Sequence, residues 1–127
     1  MSVLSLGLDL TRIDRMQEAL DRRGQRFLDR VFTEREQAYC ERRAVRRATH
    51  YAGRFAVKEA VMKALGTGWR LGVRWVDIEV VRAPGQAPQV ELHGRSAEIA
   101  AERGIGAILI TITHDAGIAA AVAVATE

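Results

Sequence analysis

Residues 53–66 read GRFAVKEAVMKALG, and this stretch decides how the chain is put together. Ala, Leu, Met, Lys and Glu dominate it and Gly66 follows as a stop, which predicts a helix. At about 100° per residue, Met62 and Leu65 bracket Lys58, while Phe55 and Ala56 bracket Glu59 and Lys63. The helix is therefore apolar nearly all round and belongs inside a protein, where Lys58, Glu59 and Lys63 need partners.

The surrounding chain has 127 residues, 48% of them hydrophobic and 6% aromatic, as expected of one soluble globular domain with a real core. No apolar run reaches the roughly 18 residues of a membrane span, and MSVLSLGLDL lacks the basic start of a signal peptide. The single cysteine, Cys40, has no internal partner; a reducing cytoplasm and a structural role are expected for it. Net charge is +3, with eleven Arg against seven Asp or Glu between residues 12 and 47. That basic third suits nucleic acid, an acidic protein or a phosphorylated ligand, and equally a solvated helical surface. Of nineteen basic residues only Lys58 and Lys63 are lysine, and both lie in the apolar helix.

Periodicity outlines an α+β domain. In VLSLGLDL (3–10), Leu4, Leu6, Leu8 and Leu10 share one wholly apolar face of a strand. Asp9 projects from the other face beside Gly7, whose missing side chain gives another group room to approach. Thr11-Arg12-Ile13-Asp14 fits a capping box for a helix ending at Gly24, with further helix from Gln25 to Phe32. Thr33-Glu34-Arg35-Glu36 is a second box, opening a helix to about Arg43. The apolar helix spans roughly Val45 to Leu65. Strands follow at 75–82 and 89–93, then a short helix at 96–103. Runs 105–113 and 117–125 pair through a hairpin at His114-Asp115-Ala116-Gly117. Helices packed on a mostly antiparallel sheet are the expected architecture, in a single domain over 1–127.

Glu59 and Lys63 are spaced i, i+4 and could be a plain intrahelical ion pair. Asp9, brought opposite Glu59, would instead make a two-carboxylate site. Hard oxygen ligands without a His or Cys cluster suit Mg²⁺ completed by water and phosphate, with Arg54, Lys58 and Lys63 neutralising phosphates. No GxxxxGK[ST] is present, and GTGWRLG lacks a dinucleotide-binding spacing. His50, His93 and His114 show no zinc-ligand spacing; His114, beside Asp115, is the best placed to act.

Together, GLDLTRI (7–13) and GRFAVKEAVMKALGTG (53–68) resemble the two signature segments of the holo-acyl-carrier-protein synthases, small 4′-phosphopantetheinyl transferases. RFLDRVFTEREQAYC (26–40), VDIEV (76–80) and ITITHDAGIAAAVAV (110–124) resemble that family in the same order. The resemblance implies transfer of phosphopantetheine from coenzyme A to a serine of apo acyl carrier protein, releasing adenosine 3′,5′-bisphosphate, in support of fatty acid or polyketide synthesis. It implies that Asp9 and Glu59 hold Mg²⁺, with Mn²⁺ as a possible substitute, and that Asp9, Glu59 and Lys63 serve catalysis. Glu59 acting through water is the expected base, with Asp9 the alternative. Arg54, Lys58, Lys63, Gly66 and His114 would bind coenzyme A. Arg15, Arg22, Arg26, Phe27 and Arg30 would dock the acidic carrier protein. Short members of the family form homotrimers with sites at subunit boundaries, so a trimer is implied, in which His114 and Asp115 could reach a neighbour's site.

Two other classes stand beside this one. A nucleic-acid-binding domain explains the arginines but not the buried charges, and clustered exposed aromatics for base stacking are missing. A scaffold with purely structural charges predicts that Asp9→Ala and Glu59→Ala harm folding more than activity.

Overall fold

A computed structural model describes residues 2–127. Its elements are β1 (Val3–Arg12), α1 (Ile13–Val31), α2 (Glu34–Glu41), α3 (Arg47–Leu65), β2 (Ile78–Val81), β3 (Gln89–Leu92), α4 (Gly94–Glu102), β4 (Ala107–Asp115) and β5 (Ile118–Thr126). β1, β5 and β4 form an antiparallel sheet in that order, and β2 pairs with β3 as a separate antiparallel hairpin. This is the expected α+β arrangement, divided between two sheets.

α3 crosses the three-stranded sheet and is buried along most of its length, as its all-round apolar pattern requires. The approach is close because the facing residues are small. Ala119, Ala121, Ala123 and Ala125 of β5 point at the helix and are fully or almost fully buried. A Cβ on Gly7 would stand 1.8 Å from the Ala60 carbonyl oxygen, so only glycine fits there. Ser5 Oγ donates to the Ala64 carbonyl at 2.6 Å, fixing the crossing point. The β4–β5 turn is the pair Ala116-Gly117, with φ of 52° and 77°, the two left-handed residues of a type I′ hairpin. His114 therefore sits in the strand rather than in the turn.

The second capping box forms as expected: Thr33 Oγ1 accepts from the Glu36 N–H at 3.2 Å, and Glu36 Oε1 accepts from the Thr33 N–H at 2.8 Å. The first does not. Arg12 is the N-cap of α1 without a side-chain bond, and Thr11 Oγ1 donates to Asp9 Oδ2 at 3.1 Å. The strand runs on to Arg12, so Thr11 is still pleated and serves the carboxylate two residues before it. α1 bends at Gly24 (φ 59°, ψ −142°), where the sequence places its stop.

The leucine face of β1 points away from α3. Leu6, Leu8 and Leu10 are 64%, 56% and 63% exposed. Cross-strand rows extend this face through Leu6–Val124–Leu109 and Leu8–Val122–Thr111. The face that packs inside carries Ser5, Gly7, Asp9 and Thr11.

Candidate active site at the crossing of β1 and α3

Because β1 lays its Gly7 face on α3, Asp9 follows Gly7 onto the helix side with Lys63. The Lys63 ammonium donates to the Leu8 carbonyl at 2.8 Å and reaches Asp9 Oδ1 at 3.4 Å. Lys63 stays substantially exposed while Asp9 is mostly covered. One turn earlier on the same helix face stands Glu59, half-buried. Its Oε2 accepts the indole N–H of Trp69 at 3.0 Å. Burial holds the Glu59 carboxyl above its ordinary range; the Trp69 hydrogen bond opposes this, the nearby Asp9 charge reinforces it, and Lys63 opposes it. The two carboxylates thus feel one another, with one ammonium between strand and helix. This is the juxtaposition expected from the sequence.

Lys58 departs from expectation. Its side chain is fully buried, and its ammonium donates to Glu36 Oε1 at 2.8 Å, the Trp75 carbonyl at 3.0 Å and the Ile78 carbonyl at 2.6 Å. All three donors are engaged inside the protein, so none is left for a phosphate. Lys58 answers the capping carboxylate of α2, a partner 22 residues away that its own helix does not reveal. Glu36 Oε2 also accepts from the Val80 N–H at 2.8 Å, tying α2, α3 and β2 together.

Arg54 is 4% exposed, and its Nε is buried without a hydrogen-bond partner among the described residues. It faces α2 rather than Glu59. Its guanidinium lies 3.8 Å from the Tyr39 ring centroid, and that of Arg43 lies 3.6 Å from the same ring. The His50 ring meets Tyr39 edge-on at 5.6 Å. Burial, then Arg54, Arg43, His114 and Arg46, pushes the His50 pKa down to about 4. His114 thus lies in this basic group, away from Asp9 and Glu59. Gly66 ends α3 in a left-handed conformation (φ 80°), with its N–H bonded to the Lys63 and Met62 carbonyls.

Arg15, Arg22, Arg26 and Arg30 are all exposed on α1. Phe27 is half-buried and packs edge-on against Phe32 at 6.2 Å, so only part of it faces outward. Arg30 joins Met62, Trp69, Val73 and Trp75 in lining a cleft of about 490 Å³. The arginine row therefore ends at the tryptophan that holds Glu59. Cys40 is buried and its thiol is pushed up to about 12 chiefly by burial, which makes it inert as a nucleophile.

Glu79, Glu91 and His93 also bring three ligand-type atoms together. Arg35 already neutralises them, donating to Glu79 Oε1 at 2.6 Å and to Glu91 Oε1 at 2.8 Å. That group is a tie between α2 and the β2–β3 hairpin. Trp69 and Glu36 escape a reading of the sequence: one lies in the Gly-rich loop after α3, and the other is legible only as a cap.

Comparison with known proteins places the chain in a family. The description of the 4′-phosphopantetheinyl transferase superfamily matches residues 5–123. A holo-[acyl-carrier-protein] synthase of Solibacter usitatus is 45% identical over 116 residues, covering 91% of this chain and 92% of its own. One from an Anaeromyxobacter species is 48% identical over 122 residues, covering 94% and 92%. The crystal structure of the Helicobacter pylori holo-[acyl-carrier-protein] synthase in complex with coenzyme A superposes with a TM-score of 0.83 at 32% identity, covering 95% of this chain and 99% of that one. The Neisseria meningitidis synthase superposes at 0.88 with 25% identity, covering 99% and 100%.

Proposed function

Since the chain belongs to the 4′-phosphopantetheinyl transferase superfamily, and within it to the holo-[acyl-carrier-protein] synthases, we propose that the Asp9–Glu59–Lys63 juxtaposition is its catalytic centre. The protein is a transferase that moves the phosphopantetheine arm of coenzyme A to an acyl carrier protein. The observation that carries the site assignment is the meeting of two carboxylates and one ammonium where β1 crosses α3.

The donor set fits a hard divalent cation. Asp9 and Glu59 offer carboxylate oxygens, their mutual repulsion calls for positive charge, and Glu59 Oε1 accepts no hydrogen bond among the described residues. Asp9 and Glu59 would hold Mg²⁺, or Mn²⁺ in its place. When bound, the ion supplies Lewis-acid stabilisation of the coenzyme A diphosphate. Lys63, exposed at the same point, neutralises the phosphoryl oxygens as charge builds on them. The serine Oγ of the carrier forms a bond to the β-phosphorus. The bond from that phosphorus to the bridging oxygen breaks, and adenosine 3′,5′-bisphosphate leaves. Glu59 takes the serine proton through water.

The buried Arg54, with an unmatched donor and with Tyr39, Arg43, His50 and His114 about it, suits the anionic nucleotide end of coenzyme A. The exposed Arg15, Arg22, Arg26 and Arg30 suit an acidic carrier protein, whose serine would arrive beside Trp69. The leucine face of β1 favours the trimer, because a lone chain would leave Leu6, Leu8, Leu10 and Leu109 in water. A trimer would also let the Arg54–His114 group of one subunit serve a neighbour's Asp9 and Glu59. The buried, unpaired Cys40 suits a reducing cytoplasm.

Purified Asp9→Asn and Glu59→Gln proteins test the assignment. Loss of about a thousandfold in turnover, with melting temperature kept, supports it. Retained turnover in either variant, or unfolding of both, contradicts it.

A further inference from the structure

Trp69 is 67% exposed, yet its ring is not idle. The indole N–H donates to Glu59 Oε2 at 3.0 Å. Its ring leans on Trp75 at 5.6 Å, and Trp75 stacks on Phe55 at 6.2 Å and 29°. The Trp75 carbonyl is in turn fixed by the buried Lys58 ammonium at 3.0 Å. An exposed side chain is thus footed in the core through two aromatic contacts and an ion pair.

The loop that carries it is shaped for the purpose. Gly66, Gly68, Leu71 and Gly72 all have positive φ (80°, 55°, 66° and 80°), which folds 66–72 back over the end of α3. Leu71 adopts this conformation against the ordinary preference of a residue with a Cβ, which the rest of the loop must offset. The N–H of Thr67 bonds to the Met62 carbonyl at 3.1 Å, and Arg95 Nε donates to the Leu71 carbonyl at 3.3 Å. Both ends of the loop are therefore pinned.

We propose that Trp69 is a positioning residue for the cation site: its N–H fixes Glu59 through Oε2 and leaves Oε1 as the ligand oxygen. The inference rests on Glu59 being a cation ligand, as argued above. A free glutamate would sample several rotamers, and each binding event would have to order it. Outer partners that orient a ligand in this way are worth about 10- to 100-fold in metal affinity. The Lys58–Glu36 pair contributes indirectly, by holding Trp75 beneath the indole.

Trp69→Phe tests this, because it deletes the N–H and keeps an aromatic ring for the stack. Mn²⁺ binding is followed by loss of the free-ion electron paramagnetic resonance signal with coenzyme A present, in wild type, Trp69→Phe and Glu59→Gln. The expected result is a Kd about tenfold weaker for Trp69→Phe at unchanged melting temperature. The Mg²⁺ concentration giving half-maximal rate should rise in step, with turnover recovering at saturating Mg²⁺. Unchanged or tighter Mn²⁺ binding in Trp69→Phe, with Glu59→Gln strongly weakened, overturns the role of Trp69 alone. Unchanged binding in Glu59→Gln overturns the assignment of Glu59 and this inference with it.

Discussion

Lys58 and Glu36 form a 2.8 Å ion pair with both side chains wholly shut off from solvent. Burial lowers the Lys58 pKa and the Glu36 charge opposes that. Because three elements converge on the pair, Lys58→Met should leave a stranded carboxylate and cost about 3–5 kcal/mol in urea unfolding. The double variant Lys58→Met, Glu36→Leu should recover most of that loss. If Lys58→Met unfolds like wild type and loses only coenzyme A affinity, Lys58 is a ligand residue after all.

Gly7→Ala tests the crossing that positions Asp9. The added methyl would lie 1.8 Å from the Ala60 carbonyl oxygen, and backbone on both sides cannot yield cheaply. The variant should lose about 3 kcal/mol, at the upper end of ordinary overpacking costs, and most of its activity. A fully active, equally stable Gly7→Ala would mean that β1 does not press on α3 this closely.

Leu6→Lys with Leu8→Lys addresses the exposed face. Both leucines are more than half exposed on a single chain, in rows with Val124, Val122 and Leu109. Light scattering should give the mass of three chains for the wild type and of one chain for the double variant if this face carries the proposed subunit contact. A trimer of unchanged mass would place the subunit contact elsewhere.

The leucine face also marks where the sequence can be read and where it cannot. Alternation in VLSLGLDL identifies the strand and its two faces. It does not say that the apolar one faces outward, because a partner chain can cover it as well as a helix can. The i, i+4 pair Glu59–Lys63 and the Gly7–Asp9 spacing are local, and the fold brings these side chains near one another. Thr33–Glu36 is legible as a cap because it spans one helical turn. Lys58–Glu36 and Trp69–Glu59 depend on chain segments meeting across the fold, and no local pattern announces them. Thr11 misleads for the opposite reason: its local pattern fits a cap, but continued pairing with β5 keeps it in the strand as far as Arg12.

Glu79 gives a pH signature. Burial would raise its pKa, but hydrogen bonds from Arg35, Thr33 and His93 bring it down to about 2. A depressed carboxyl stabilises the fold fully above its unfolded value of about 4.5 and no longer does so once pH falls through about 2. Stability should therefore decline across that window, and Glu79→Gln should flatten the decline while lowering stability at pH 7. An unaltered profile in Glu79→Gln would assign the acid sensitivity to other carboxyls.

If Asp9 and Glu59 together load phosphopantetheine onto a carrier protein, the mass of the carrier must show it. The most direct measurement is the intact mass of an apo acyl carrier protein after incubation with the protein, coenzyme A and Mg²⁺. A gain of one phosphopantetheine per carrier is expected, abolished by chelator and by Glu59→Gln. A folded, oligomeric sample that adds no mass to any of several carriers, or a Glu59→Gln protein that adds it at the wild-type rate, would contradict it.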